Sequence, residues 1–135
     1  MAAQSFSSLS LDPPLVLFCP AKSSTTWPKI QKSGRFCVNV LGEGQASTCR
    51  AFSVSGGNKF ANVAWSWDDG GLPVVEGCVA YVTCCLEEVH DAGDHEIAVA
   101  SVQDLKLGCV DRPLLYYQGR YRQLLHDHTL DSGDQ

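Results

Sequence analysis

The feature that most constrains this chain is a long two-residue alternation running from Gly77 to Glu88. Cys78, Ala80, Val82, Cys84 and Leu86 fall on one side, and Val79, Tyr81, Thr83, Cys85 and Glu87 on the other. A strand sends successive side chains to opposite faces, and a helix does not. Val89-His90-Asp91-Ala92-Gly93-Asp94 then reads as a polar loop, and His95 to Val102 as the returning strand. The pair predicts a β-hairpin with a polar tip.

Other segments repeat this period. Arg35 to Leu41 places Phe36, Val38 and Val40 on one face and Cys37, Asn39 and Leu41 on the other. Ser5 to Leu11 alternates as well, and Asp12-Pro13-Pro14 interrupts it, since proline has no N–H for a central ladder. Leu15 to Cys19 is apolar on both faces and reads as an interior strand. Pro113 to Gln118 is one more strand, closed by Gly119. Two short helices are expected. One spans Trp27 to Lys32, with Pro28 in its first turn and Gly34 just past its end. The other spans Gln45 to Ser53, with Ala46, Cys49 and Phe52 at three-residue spacing. Lys59 to Trp67 is ambiguous and reads as a helical turn leading into a strand, and Asp68 to Pro73 reads as a turn. Many strands with few helices indicate a mainly β chain, a small antiparallel barrel.

The chain has 135 residues, 44% of them hydrophobic, which suits one domain with an ordinary core. It has no apolar run of bilayer-spanning length and no secretory n-region and h-region, so a cytoplasmic protein is expected. Net charge is −5. Residues 126–135 hold Asp127, Asp131 and Asp134 and read as a flexible acidic tail following a domain over 1–125. Without those three aspartates, 12 acidic residues face 10 basic ones, a net of −2, with no basic run. That balance argues against nucleic acid as a partner. The seven cysteines show no C-x-x-C spacing, which argues against zinc ribbons and thioredoxin-type pairs. All seven are expected to be reduced core residues.

The chemistry concentrates near the start of the chain. A hydroxyl-rich segment (Ser5-Phe6-Ser7-Ser8), a buried strand and the loop Lys22-Ser23-Ser24-Thr25-Thr26 follow one another closely. Four hydroxyls and one ammonium in five residues suit a phosphate, through charge-assisted hydrogen bonds. The same hydroxyls also suit the cap of the helix at Trp27, and the two roles are compatible. A second constellation is His95, surrounded by Asp91, Asp94 and Glu96. The spacing of His90 and His95 fits no metal motif, so no metal site is expected. Tyr116, Tyr117 and Tyr121 beside Gly119 offer aromatic faces for a ring, or simply cover the barrel. Nucleotide-binding glycine motifs and the G-x-S-x-G elbow are both missing.

Taken in order, S-F-S-S-L-S-L-D-P-P-L-V-L-F-C-P, G-R-F-C-V-N-V-L, K-F beyond a short helix, G-D-H, and P-L-L-Y-Y-Q-G-R-Y resemble the flavin reductase-like family. These are the small NAD(P)H:flavin oxidoreductases of two-component flavin-dependent monooxygenases. The resemblance runs from about residue 2 to residue 122, and its specificity lies in five pieces keeping one order. It implies an FMN-binding split barrel, related to Greek-key barrels, and a homodimer. It implies that FMN or FAD lies along Ala3, Gln4, Ser5, Phe6 and Ser7. The ribityl and phosphate portion would be held by Cys19, Pro20, Ala21, Lys22, Ser23, Ser24 and Thr25. His95 would seat the nicotinamide of NADH or NADPH together with Tyr116 or Tyr117, with Gln118 and Gly119 alongside. Hydride transfer is then cofactor chemistry, and no strictly required catalytic acid or base is expected.

Relative to the family pattern, Met1 stands just before the flavin segment, so the expected barrel is shortened, with an open edge that a partner subunit would cover. Two alternatives to a reductase stay open: a flavin-binding split-barrel protein without productive nicotinamide binding, and an inactive truncated remnant.

Overall fold

A computed structural model describes residues 1–125, and the acidic stretch 126–135 lies outside the described residues. The strands are β1 (Ser7–Leu11), β2 (Pro14–Phe18), β3 (Arg35–Val40), β4 (Trp65–Trp67), β5 (Pro73–Val75), β6 (Ala80–Ala92), β7 (His95–Leu107), β8 (Leu115–Tyr117) and β9 (Arg120–Arg122). The helices are α1 (Trp27–Ser33) and α2 (Ala46–Ser53). The fold is mainly β and antiparallel with two short helices, as the alternation requires.

Five strands form the main sheet in the order β1-β2-β7-β6-β3. β4 with β5 and β8 with β9 form two small hairpins. Beyond β3 the main sheet is extended by a Gly42–Pro113 bridge and by the Leu114 N–H donating to the Leu41 carbonyl at 2.9 Å.

The core occupies one face of this sheet. Val16, Val82, Cys84 and Ala100 form one buried cluster, and Phe18, Trp27 and Ala98 another. Phe6 and Phe36 pack against both and join them. Trp27, at the start of α1, is only 2% exposed and meets Phe18 edge to face at 5.4 Å. Its indole N–H donates to Glu96 on β7. The helix is set by local signals read from the sequence. Gly34 ends it at φ 69, returning its N–H to the Ile30 carbonyl at 2.9 Å. At the other end Ser24 does the capping, its Oγ accepting the N–H groups of Thr26 and Trp27 at 3.3 and 3.2 Å.

Three expectations need correction. Residues 89–92, expected as loop, continue β6: Asp91 pairs with Glu96 and Ala92 with His95, leaving Gly93-Asp94 as the turn. Gly93 supplies the positive φ (72°) that such a tight turn needs. The outer end of β6 is exposed from Glu87 to Ala92, so its polar composition resembled a loop. Pro73, expected at the end of a turn, opens β5, and a further strand, β9, follows the turn at Gln118-Gly119. The cysteines are all free, but only Cys78 and Cys84 are buried, and Cys109 is exposed. Among the described residues, no helix is long and apolar enough to cross a membrane.

Candidate functional site

Residues at the start of the chain and at the end of β2 are drawn together by one side chain. Ser5 Oγ accepts the Cys19 N–H at 3.0 Å. Beyond Cys19 the chain docks on the first residues of β7. Ala21 bridges to His95, the Glu96 N–H donates to the Pro20 carbonyl at 3.0 Å, and the Lys22 N–H donates to the Asp94 carbonyl at 2.9 Å. These bonds place the hydroxyl loop, the start of the chain and His95 around one cleft of about 470 Å³.

Of the residues expected to hold a flavin, Ala3, Gln4, Ser5, Cys19, Pro20, Ala21, Ser23, Ser24 and Thr25 line this cleft, and His95 faces it too. Phe6, Ser7 and Lys22 are not among its lining residues. Phe6 is turned into the core, and Ser7 begins β1 opposite Leu17. Lys22 sends its ammonium to Asp91 on β6. The lysine that lines the cleft is instead Lys59. Its Nζ is steadied by the Val54 carbonyl and, at 3.5 Å, by the Phe52 carbonyl. Phe52, Ser53, Val54 and Ser55, at the C-terminal end of α2, complete that wall. The only trace of this wall in the sequence was the K-F piece at Lys59-Phe60, which marks the position but not the tertiary contact.

His95 Nδ1 lies 2.7 Å from Asp94 Oδ1. The hydrogen bond and charge of His95 hold the Asp94 carboxyl below the usual carboxylate range. With Nδ1 committed to Asp94, Nε2 is the ring atom left for a ligand. Tyr116, Tyr117, Gln118 and Gly119 do not line the cleft. They form the β8–β9 hairpin, where Tyr116 meets Tyr121 at 5.3 Å and Arg50 of α2 sits 5.2 Å over the Tyr121 ring. That hairpin contacts α2 at Cys49 and Arg50, while the cleft is walled by the following turn, Phe52 to Ser55. Hydrogen bonding to Cys49 pushes the Tyr121 hydroxyl up. Among the described residues, no group of three or more His, Cys, Asp or Glu is placed to hold a metal.

The donor set suits an anionic, ring-bearing ligand. Ser23, Thr25, Thr26, Ser55 and Lys59 are among the cleft's lining residues. Hydroxyl and ammonium donors of this kind bind phosphate oxygens through short, charge-assisted bonds. Ala2, Ala3 and Ser5, also in the lining, are small side chains that leave backbone for a flat ring to approach.

A family model described as the flavin reductase like domain matches residues 1–125. The chain belongs to this family. The reductase subunit HsaB of a flavin-dependent monooxygenase from Rhodococcus jostii is 48% identical over 129 residues, covering 96% of this chain and 66% of its own length. A flavin reductase of Pseudomonas putida is 46% identical, covering 90% of this chain and 71% of its own length. The crystal structure of nitrilotriacetate monooxygenase component B from Mycobacterium thermoresistibile superposes with a TM-score of 0.87 at 44% identity, over 91% of this chain and 70% of that one. The NADH:FAD oxidoreductase SgcE6 of Streptomyces globisporus, in complex with NAD and FAD fragments, gives 0.88 at 32% identity, over 93% and 76%. This flavin reductase-like chain thus spans about two thirds of the length of such relatives.

Proposed function

We propose that this chain is an NAD(P)H-dependent flavin reductase that supplies reduced FMN or FAD to a partner monooxygenase. The observation that carries this reading is the single cleft uniting the Ala3–Ser5 backbone, the Ser23–Thr26 hydroxyls, Lys59 and His95. A flavin bound there would accept hydride from a reduced nicotinamide, the cofactors supplying the bond-making chemistry. The chain's own task is to bind and orient. The hydroxyl loop and Lys59 hold the phosphate end. The backbone at residues 3–5 backs the ring and offers N–H donors to negative charge on it. His95 directs Nε2 toward the nicotinamide. No side chain needs to exchange a proton with solvent for this.

The matched residues 1–125 act as one split-barrel domain, in the cytoplasm, and pair with a second copy. Exposed apolar side chains on the main sheet support the pairing: Leu11 is 94% exposed, Leu105 62% and Leu107 86%. A second copy covering them removes that surface from water.

One observation favours a second reading. The tyrosine hairpin stands away from the cleft, so the nicotinamide seat that it would complete is not assembled around the flavin end. On that reading the protein binds flavin without reducing it. Anaerobic addition of NADH or NADPH to the protein with FMN or FAD separates the two. Bleaching of the oxidised flavin band supports the reductase; tight binding without bleaching supports the carrier.

A further inference from the structure

The hydroxyl loop that lines the cleft is held at both ends by one residue that does not line it. Glu96, the second residue of β7, donates its N–H to the Pro20 carbonyl at 3.0 Å, where the chain has just left β2. Its side chain acts at the far end of the loop, where Oε2 accepts the indole N–H of Trp27, the first residue of α1. Between these two points lie residues 21–26, and all of them except Lys22 line the cleft. Successive strand residues face opposite ways, so His95 and Glu96 part here. His95 lines the cleft, and Glu96 stands on the side of Ala98, which clusters with Phe18 and Trp27.

Trp27 is in turn bonded into the loop. Ser24 Oγ accepts the N–H groups of Thr26 and Trp27 at 3.3 and 3.2 Å, and the Ser24 N–H donates to the Ala21 carbonyl at 3.0 Å. On the Pro20 side the ties to β7 are backbone bonds, independent of side chain. On the Trp27 side the hydrogen bond to β7 is made by the Glu96 carboxylate. Trp27 is 2% exposed and Glu96 half-buried. A carboxylate beside an apolar cluster costs free energy unless it is hydrogen-bonded, and an apolar side chain would serve packing alone. What the carboxylate adds is direction. It fixes which way the indole N–H points, and with it where the start of α1 and the loop stand against β7.

We propose that Glu96 is the positioning residue of the phosphate-binding loop: acting through Trp27, its carboxylate holds Ser23 to Thr26 in the shape that receives a flavin phosphate. This rests on the function proposed above. FMN and riboflavin share the ring and the ribityl chain and differ by the phosphate, so the pair isolates the loop's share of binding.

Fluorescence titration of the full chain with FMN and with riboflavin tests this, alongside thermal unfolding of each variant. Glu96→Ala should raise the Kd for FMN on the order of 10-fold, the scale of a lost hydrogen bond to a charged group, and that for riboflavin by less than about twofold. Glu96→Gln keeps an acceptor for the indole and should bind FMN within about threefold of wild type. Trp27→Phe removes the donor and should by itself weaken FMN as Glu96→Ala does; in that background Glu96→Ala should add less than about twofold. If Glu96→Ala does not fold, Trp27→Phe must weaken FMN and spare riboflavin, and Glu96→Gln must spare both. The proposal is overturned if FMN binding survives in Glu96→Ala or Trp27→Phe, or if FMN and riboflavin weaken alike, as a general loosening of the fold requires. It is equally overturned if Glu96→Gln is as damaging as Glu96→Ala, or if the two single losses add in full. Wild-type protein that binds FMN no more tightly than riboflavin would instead overturn the phosphate site itself, and this proposal with it.

Discussion

Ser5 and Cys19, fourteen residues apart, are joined by the Cys19 N–H donating to Ser5 Oγ at 3.0 Å. This bond fixes the height at which the start of the chain crosses the end of β2, and so the width of the cleft between them. Neither backbone segment makes ladder bonds there, since β1 begins only at Ser7 and β2 ends at Phe18. Ser5→Ala is therefore expected to weaken flavin binding by about fivefold, in line with about 1 kcal/mol for one hydrogen bond. Fluorescence titration with FMN and FAD measures it, and Ser5→Thr, which keeps the hydroxyl, should restore much of the loss.

Two lysines divide the chemistry that the sequence assigned to one. Lys22 is occupied with Asp91, whereas Lys59 stands in the cleft wall. Lys59→Met should raise the flavin Kd by about 10-fold or more, the scale of a lost hydrogen bond to a charged group. Lys22→Met should change it by less than about threefold, since exposed ion pairs contribute little. Equal effects of the two substitutions would contradict the assignment of the cation.

Trp27 ties α1 to the sheet. Its ring fills the cluster with Phe18 and Ala98, and its N–H reaches Glu96. Trp27→Ala should cost about 3–5 kcal/mol in urea unfolding, the scale for a deleted core aromatic. Trp27→Phe should cost less, because the ring contacts stay and only the hydrogen bond to Glu96 is lost.

The Asp94–His95 pair should be visible in acid. The folded Asp94 carboxyl is held below its ordinary value of 3.8, so it favours the folded state above that value. The contribution is lost as pH falls through the lowered, folded value. Asp94→Asn should thus unfold at lower urea than wild type near neutrality, and the gap should close on acidification. A gap that stays constant with pH would place its cause elsewhere.

Thiol reactivity should follow burial. Burial, with the charges of Cys37 and Cys85 adding to it, pushes the Cys84 thiol up to about 12, so almost no thiolate exists at neutral pH. Iodoacetamide should label Cys109 first in the native protein, leaving Cys84 unmodified until urea unfolds it. Mass spectrometry of the digests gives the order directly.

The sequence disclosed those parts of the fold that local chemistry decides. Pro28 and Gly34 bracket α1, and the alternation through Val82 and Cys84 finds the buried face of β6. It failed at Val89 to Ala92, where polarity reflects exposure and not the lack of a strand. In the cleft, the Ser5 to Thr25 segments were legible because they are contiguous hydroxyl-rich runs. Lys59 was not, since its place depends on how α2 packs, a tertiary fact with no local signature. The nicotinamide role of the tyrosine hairpin came from the resemblance, while the residues by themselves also allowed a plain surface cover; the hairpin packs on α2 instead of lining the cleft.

The central claim is that this cleft holds a flavin that reduced nicotinamide can reach. The most direct measurement is an anaerobic stopped-flow record of flavin absorbance near 450 nm, for wild type and His95→Ala, after mixing with NADH. The account predicts rapid bleaching by wild type and bleaching slowed about 10- to 100-fold in His95→Ala, with the flavin Kd nearly unchanged, as for loss of an orienting contact. Equal rates in the two proteins, or no bleaching above the protein-free rate, would contradict it.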